Sequence, residues 1–210
     1  MARVTEAHVE ARRNQILDAA WSCFARRGYH QTTMQDIATD AGISAGAIYR
    51  YYASKEAVLA AITERNTQRY MELLADIKSE AGGPMDVLDS VGQTMLATFD
   101  DPMYETNARL DIEIRPETIR NDALRERSRQ QLDFWRQSLI TLLKEARENG
   151  ELRSDIDIDT FVVLAICAYE GLRSWGLVDP KIWKPREVFD LLLKLVSARA
   201  MMPQLNENLN

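Results

Sequence analysis

Apolar positions recur every three or four residues along most of the chain, the spacing that lines one face of an α-helix. Glycine and proline interrupt the pattern where helices should end. Ile16, Leu17, Ala20, Trp21 and Phe24 share one face of a first helix predicted over 9–27. Arg26 and Arg27 fall in its last turn, where cations suit the helix dipole, and Gly28 supplies the stop. A short second helix starts at Thr33. Asp36, three residues on, gives it a capping-box-like opening, and it ends near Asp40 or Ala41. Gly42 is placed for a left-handed turn. Ser44 then caps a third helix over 45–51, and Ser54 a long fourth one over 55–80.

The run "AGGP" at 81–84 breaks the pattern. Helices follow over 85–99, 103–115 and 117–149, divided by "DDP" at 100–102 and by Pro116, read as the opening of the longest helix. After "NGELRSDIDID", read as a loop and helix start, two apolar helices over 159–177 and 186–201 close the chain. There is no internal repeat, no low-complexity segment and no convincing strand. The expectation is an all-α fold of about nine helices. A helix-turn-helix domain occupies 1–55, and a helical ligand-binding and dimerisation domain occupies 56–210.

Composition changes this picture little: 46% hydrophobic and 28% charged residues in 210 are those of a globular chain. Charge changes it more. The net charge of −6 alone argues against nucleic acid. Residues 1–55, however, hold seven basic against five acidic side chains, whereas the remainder holds 19 against 27. A mildly basic end on an acidic body suits a protein that meets a polyanion at that end only. Cys23 and Cys167 both lie in apolar helical patterns, as buried small hydrophobes do. No disulfide framework, zinc spacing or partnered histidine occurs, so neither metal nor cofactor is expected. The N-terminus has no signal-peptide core and no stretch is long enough to span a membrane, so the expected compartment is the cytoplasm. No phosphate-binding loop, dinucleotide turn or nucleophile with a base is present, and an enzyme is not expected.

Two short helices joined by a glycine turn make a helix-turn-helix, in which the second helix enters the major groove. Ile37, Ala38, Ile43, Ile48 and Tyr52 can pack inward with Trp21 and Phe24, leaving Ala45, Gly46, Tyr49 and Arg50 on another face. Small residues there let the backbone approach base edges. Tyrosine hydroxyls and Lys55 suit phosphate contacts, and Thr33 and Ser44 put helix N-termini where phosphate is favoured. Tyr49, Tyr51 and Tyr52 have two readings: three packing aromatics, or one core residue, Tyr52, with two facing phosphate.

The pieces "ILDAAWSCFARRGYHQTT", "IATDAGIS" and "IYRYYASKEAVL", in that order and spacing over about residues 12–60, resemble the DNA-binding domain of the tetracycline-repressor (TetR) family of bacterial transcription regulators. The resemblance implies a phosphate contact from Thr33, a recognition helix carrying Ser44, Ala45, Gly46 and Tyr49, and backbone contacts from Tyr51 and Lys55. Tyr52 stands where the family often has phenylalanine. The resemblance also implies repression of an operator, and a homodimer built as a four-helix bundle from the last two helices. Those helices are apolar over more than one stripe, as either core or a dimer surface would be. The middle helices would enclose a pocket for an unidentified small-molecule effector. Its candidate residues are Met95, Phe99, Met103, Tyr104, Trp135, Tyr169 and Trp175, though such stripes also serve as core. Asp111 and Glu113 would favour a cationic effector if they faced a cavity, and are otherwise solvated. The alternative function is a helical interaction module with no sequence-specific DNA binding. That module would explain the closing helices but not the arrangement from Thr33 to Lys55.

Overall fold

The computed structural model describes residues 6–179, 181 and 183–197. Among them are nine helices: α1 Glu6–Arg27, α2 Met34–Asp40, α3 Ala45–Ile48, α4 Lys55–Glu80, α5 Pro84–Ala97, α6 Tyr104–Arg120, α7 Asp122–Glu148, α8 Ile158–Trp175 and α9 Pro185–Val196. The described residues contain no strand, only an isolated antiparallel bridge between Leu152 and Ser197.

Three predicted boundaries move. The helix α3 is shorter than expected. It stops at Ile48 and is continued through Tyr51 by turns, with Arg50 N–H donating to the Ala47 carbonyl and Tyr51 N–H to that of Ile48. Pro116 does not open a helix but lies inside α6. An interior proline forfeits its own N–H bond and crowds the carbonyl four residues back, yet α6 runs on through this exposed position. The break comes at Asn121, whose side-chain carbonyl accepts from the amides of Ala123 at 3.0 Å and Leu124 at 3.1 Å and so starts α7. In α9 the helix gives way at Ser197, and the predicted extension to Met201 lies outside the described residues.

The described residues fall into two compact units. The first comprises the described residues up to Arg69 with 106–131, and the second 70–105 with the described residues from Leu132 on. The helices α4, α6 and α7 each supply residues to both. In the first unit Ile16, Leu17, Ala20 and Phe24 of α1 bury against Ile37 and Ala38 of α2, Ile48 of α3 and Val58, Leu59 and Ile62 of α4, joined by Leu110 and Leu124. The helical face read from the sequence is therefore the core, with Trp21, Ile43, Tyr51 and Tyr52 packed at its margin. The core of the second unit is built on Val87, Leu88 and Val91 of α5, Leu142, Leu143 and Ala146 of α7, Val162 of α8 and Val196 of α9. Cys23 is buried as expected, but Cys167 is exposed, because it lies on a face of α8 that no described element covers.

Candidate functional site

The helix-turn-helix is held by short-range chemistry. Gly28 (φ +80°) and Gly42 (φ +63°) take the left-handed conformations that glycine adopts without steric cost. Thr33 caps α2 through a full capping box. Its hydroxyl accepts from Asp36 N–H at 3.2 Å, and its own N–H donates to the Asp36 carboxylate at 3.0 Å. The hydroxyl and amide of Thr33, helped by Arg27, hold the Asp36 carboxyl below its ordinary pKa. Arg26 reaches Asp40 at 2.8 Å. The two arginines read as dipole partners of α1 thus also tie α1 to both ends of α2. The hydroxyls of Ser44 and Ser54 each accept an N–H three residues on, from Ala47 and Ala57, both at 3.2 Å.

Thr33, Ser44, Gly46, Tyr49 and Arg50 are exposed, Tyr49 to 56%. Ala45 and Tyr51 are half-buried. Tyr51 and Tyr52 both pack against the first core, so the three tyrosines divide as one outward ring and two marginal core rings. Burial raises the Tyr52 phenol pKa. A Cβ built on Gly46 would meet nothing within 4 Å. Nothing inside the protein therefore requires a glycine there.

Lys55 has a different surrounding from the one its sequence position suggests. Its ammonium donates to the carbonyls of Tyr29 at 2.6 Å, His30 at 3.3 Å and Thr32 at 3.0 Å. It also lies 4.3 Å from the centroid of the Tyr29 ring. Three donors thus meet three carbonyls of one loop, and a phosphate could use Lys55 only by displacing one of them. Desolvation lowers its pKa. Tyr29, which sequence reasoning did not single out, is among the largest fully buried side chains, and its hydroxyl faces Glu56 at 3.5 Å. Glu113, read as a cationic-ligand candidate or a solvated acid, instead accepts the Tyr29 N–H at 2.9 Å. No local signal could have revealed these contacts, since the partners lie 26 and 84 residues apart.

In the second unit the seven effector candidates separate. Phe99 lies 5.2 Å from Tyr104 and 5.9 Å from Tyr169, ring centroid to centroid. The Tyr104 hydroxyl donates to the Arg173 carbonyl at 3.0 Å, and the Tyr169 hydroxyl is 3.3 Å from that of Thr98. The Arg173 guanidinium stands 5.7 Å from the Tyr169 ring. Trp135 instead pairs with Tyr70 at 5.0 Å, Met95 packs on the second core, and Met103 and Trp175 are exposed. A depression of about 520 Å³ lies along α9 between Trp183 and Lys194, and one of about 330 Å³ is bordered by Gly82, Asp86, Glu151 and Ser197. None of the seven lines either. Three of the seven, Phe99, Tyr104 and Tyr169, form one aromatic cluster.

The sequence model described as "Bacterial regulatory proteins, tetR family" matches residues 16–62, which contain this helix-turn-helix. The model described as "Tetracyclin repressor-like, C-terminal domain" matches residues 118–174. The HTH-type transcriptional repressor KstR2 of Mycobacterium tuberculosis is 27% identical over 182 residues, 84% of each chain. A TetR transcription regulator from Haloarcula marismortui shares the fold with a TM-score of 0.78 at 20% identity, over 90% of this chain and 99% of that one. So does the transcriptional regulator FadR of Bacillus subtilis, solved with stearoyl-CoA: TM-score 0.70, 23% identity, 87% of this chain and 96% of that one. No helix among the described residues is long and apolar enough to cross a membrane.

Proposed function

Because the chain belongs to the tetR family of bacterial regulatory proteins, we propose that it is a cytoplasmic, homodimeric repressor that reads an operator through α3 and leaves it when a small molecule binds. Gly46 carries the DNA-reading part of this proposal. Glycine costs a helix roughly 0.5–1 kcal/mol relative to alanine, and here no internal neighbour explains it. A surface that must come close to a duplex does explain it. Ser44, Tyr49 and Arg50 flank that position and are exposed. Thr33 at the start of α2 would meet phosphate, Ala45 and Gly46 would approach base edges, and Tyr49 and Arg50 would contact backbone or bases. Tyr51 and Lys55 would support this surface from behind.

A second copy would pair through α8 and α9. Val163, Leu164 and Cys167 lie exposed on α8, and Leu191 and Leu195 on α9. A Cβ on Gly171 would meet nothing within 4 Å, so a partner helix could approach α8 closely there. Twofold pairing would present two reading heads to two half-sites about one helical turn apart. The effector would enter at Phe99, Tyr104 and Tyr169, which suit an apolar or aromatic molecule. It would weaken repression only by its differential affinity for the DNA-free state.

Selection from a random duplex pool tests the reading. The wild-type protein should enrich one half-site repeat, bind it against competitor DNA, and lose affinity steeply with salt. Tyr49→Ala with Arg50→Ala should abolish that binding while the protein stays folded and dimeric. If the pool yields no enriched sequence, the DNA-reading proposal falls.

A further inference from the structure

The loop between α1 and α2 is gripped from two sides. Gly28 N–H closes α1 on the Phe24 carbonyl at 2.8 Å, and the chain then turns with φ +80°. The next amide, that of Tyr29, is past the reach of helical partners. The Glu113 carboxylate of α6 accepts it, in a charge-assisted bond that also fixes direction. Gly28 makes this possible twice over. A Cβ there would be strained, and it would sit 2.8 Å from one Glu113 oxygen and 3.2 Å from the other. On the carbonyl side, Lys55 at the start of α4 binds Tyr29, His30 and Thr32. The Thr32 hydroxyl donates to the Gly28 carbonyl at 2.8 Å, closing the loop on itself. Thr33, the cap of α2, follows immediately. Arg27 and Arg26 then hold α2 through Asp36 and Asp40.

We infer that Glu113 is a positioning residue for DNA reading. From α6, outside the helix-turn-helix, it fixes the loop that sets the start of α2, and through α2 the attitude of α3. Lys55 is the counter-grip. The inference rests on the DNA-reading proposal above. It deepens that proposal by naming a residue that touches no DNA yet governs how squarely the head meets phosphate.

The test uses the full chain and the duplex that the wild-type protein selects. Glu113→Ala should lower affinity for that duplex about tenfold or more and flatten the salt dependence. A tilted head neutralises fewer phosphates, and each lost contact removes about 0.9 from the slope. A merely less stable protein would lose active fraction but keep the wild-type slope. Glu113→Gln retains an oxygen that accepts the Tyr29 amide, so it should recover most of both quantities. Ile112→Ala, an exposed neighbour on the same helix, should change neither. Should Glu113→Ala fail to fold, hydrogen exchange on the wild-type protein decides: the Tyr29 amide should be as protected as the last amides of α1. Wild-type affinity and slope in Glu113→Ala, or a freely exchanging Tyr29 amide, would overturn the inference. Failure of the wild-type protein to select any duplex would instead sink the DNA-reading proposal itself.

Discussion

The two units treat their surfaces in opposite ways. In the first, helix starts and turns are closed from within: Thr33, Ser44 and Ser54 cap helices, and Lys55 and Glu113 hold the loop at Tyr29. Its large apolar side chains lie mostly inside, with Tyr49 a prominent exception and α6 contributing Ile112 and Ile119. In the second, α8 and α9 expose Val163, Leu164, Leu191 and Leu195, and Val178, in the connection between them, is 71% accessible. Large apolar side chains left exposed together can mark a surface that a partner covers. The lesson is that the helix-turn-helix is finished by its own chain, whereas α8 and α9 leave large apolar side chains exposed, the surface proposed above for a second copy.

The strongest way to break this contrast is to put charge on the uncovered face. Leu164→Glu with Leu191→Glu changes two exposed side chains, so the isolated chain should keep its fold. Two carboxylates brought into an apolar interface cost several kcal/mol when unpaired. The double variant should therefore sediment as a monomer at micromolar concentration, and its operator affinity should drop about a hundredfold or more as the two heads uncouple. A variant that remains dimeric and binds normally would show that α8 and α9 are not the dimer surface.

The same contrast explains what was legible beforehand. Caps, glycine stops and the inward face of α1 depend on residues a few positions apart, so Thr33, Gly28, Gly42, Ser44 and Ser54 could be read directly. Pro116 misled because an interior proline loses a backbone bond and crowds the preceding turn, which favours reading it as a helix start; the start is instead made by Asn121. Sequence position suggests a phosphate contact for Lys55, and the structure sets it on three loop carbonyls. The carbonyls it binds belong to a loop brought close only by the packing of α1 on α4. Glu113 and Tyr29 are more distant still, and no periodicity links them. The effector candidates were chosen by residue type, which does not tell which of them come together. Phe99, Tyr104 and Tyr169 contact one another, while Trp135 pairs elsewhere.

Next in size is a glycine in the second unit. A Cβ on Gly92 of α5 would lie 1.7 Å from the nearest ring atom of Phe189 on α9, so the ring would have to leave its place. Overpacking of this kind costs about 1–3 kcal/mol. Gly92→Ala should lower the unfolding temperature by several degrees, and adding Phe189→Leu should restore much of the loss. An unchanged melting curve would mean that α9 does not rest on α5 at this point.

Within the first unit the capping box gives a smaller effect with a pH signature. Thr33→Ala removes a cap worth about 1 kcal/mol. The folded Asp36 carboxyl has a lowered pKa, caused first by the Thr33 hydroxyl, then by its amide and by Arg27. A depressed carboxylate contributes stability that is fully present above its unfolded pKa, about 3.9. That contribution is lost as pH falls through the lower folded value. Denaturant titrations should show wild-type stability declining below about pH 4 more steeply than that of Thr33→Ala. Parallel declines would mean that the box contributes nothing to the linkage.

Gly46→Ala gives the smallest change in stability and the sharpest comparison, because its sign should oppose that of Gly92→Ala. Gly92 is a glycine because Phe189 occupies the place of its side chain. At Gly46 that place is empty, and φ is not in the left-handed region. A methyl group there meets nothing and restricts the unfolded chain, so Gly46→Ala should stabilise the protein by about 0.4–1 kcal/mol. The same methyl group would stand between α3 and a duplex, and affinity for the selected operator should fall although the protein is more stable. Paired measurements of melting temperature and operator affinity on the two alanine variants check both signs. If Gly46→Ala gains stability and binds DNA as before, the duplex does not approach α3 at Gly46. The reading surface must then be sought nearer Tyr49 and Arg50.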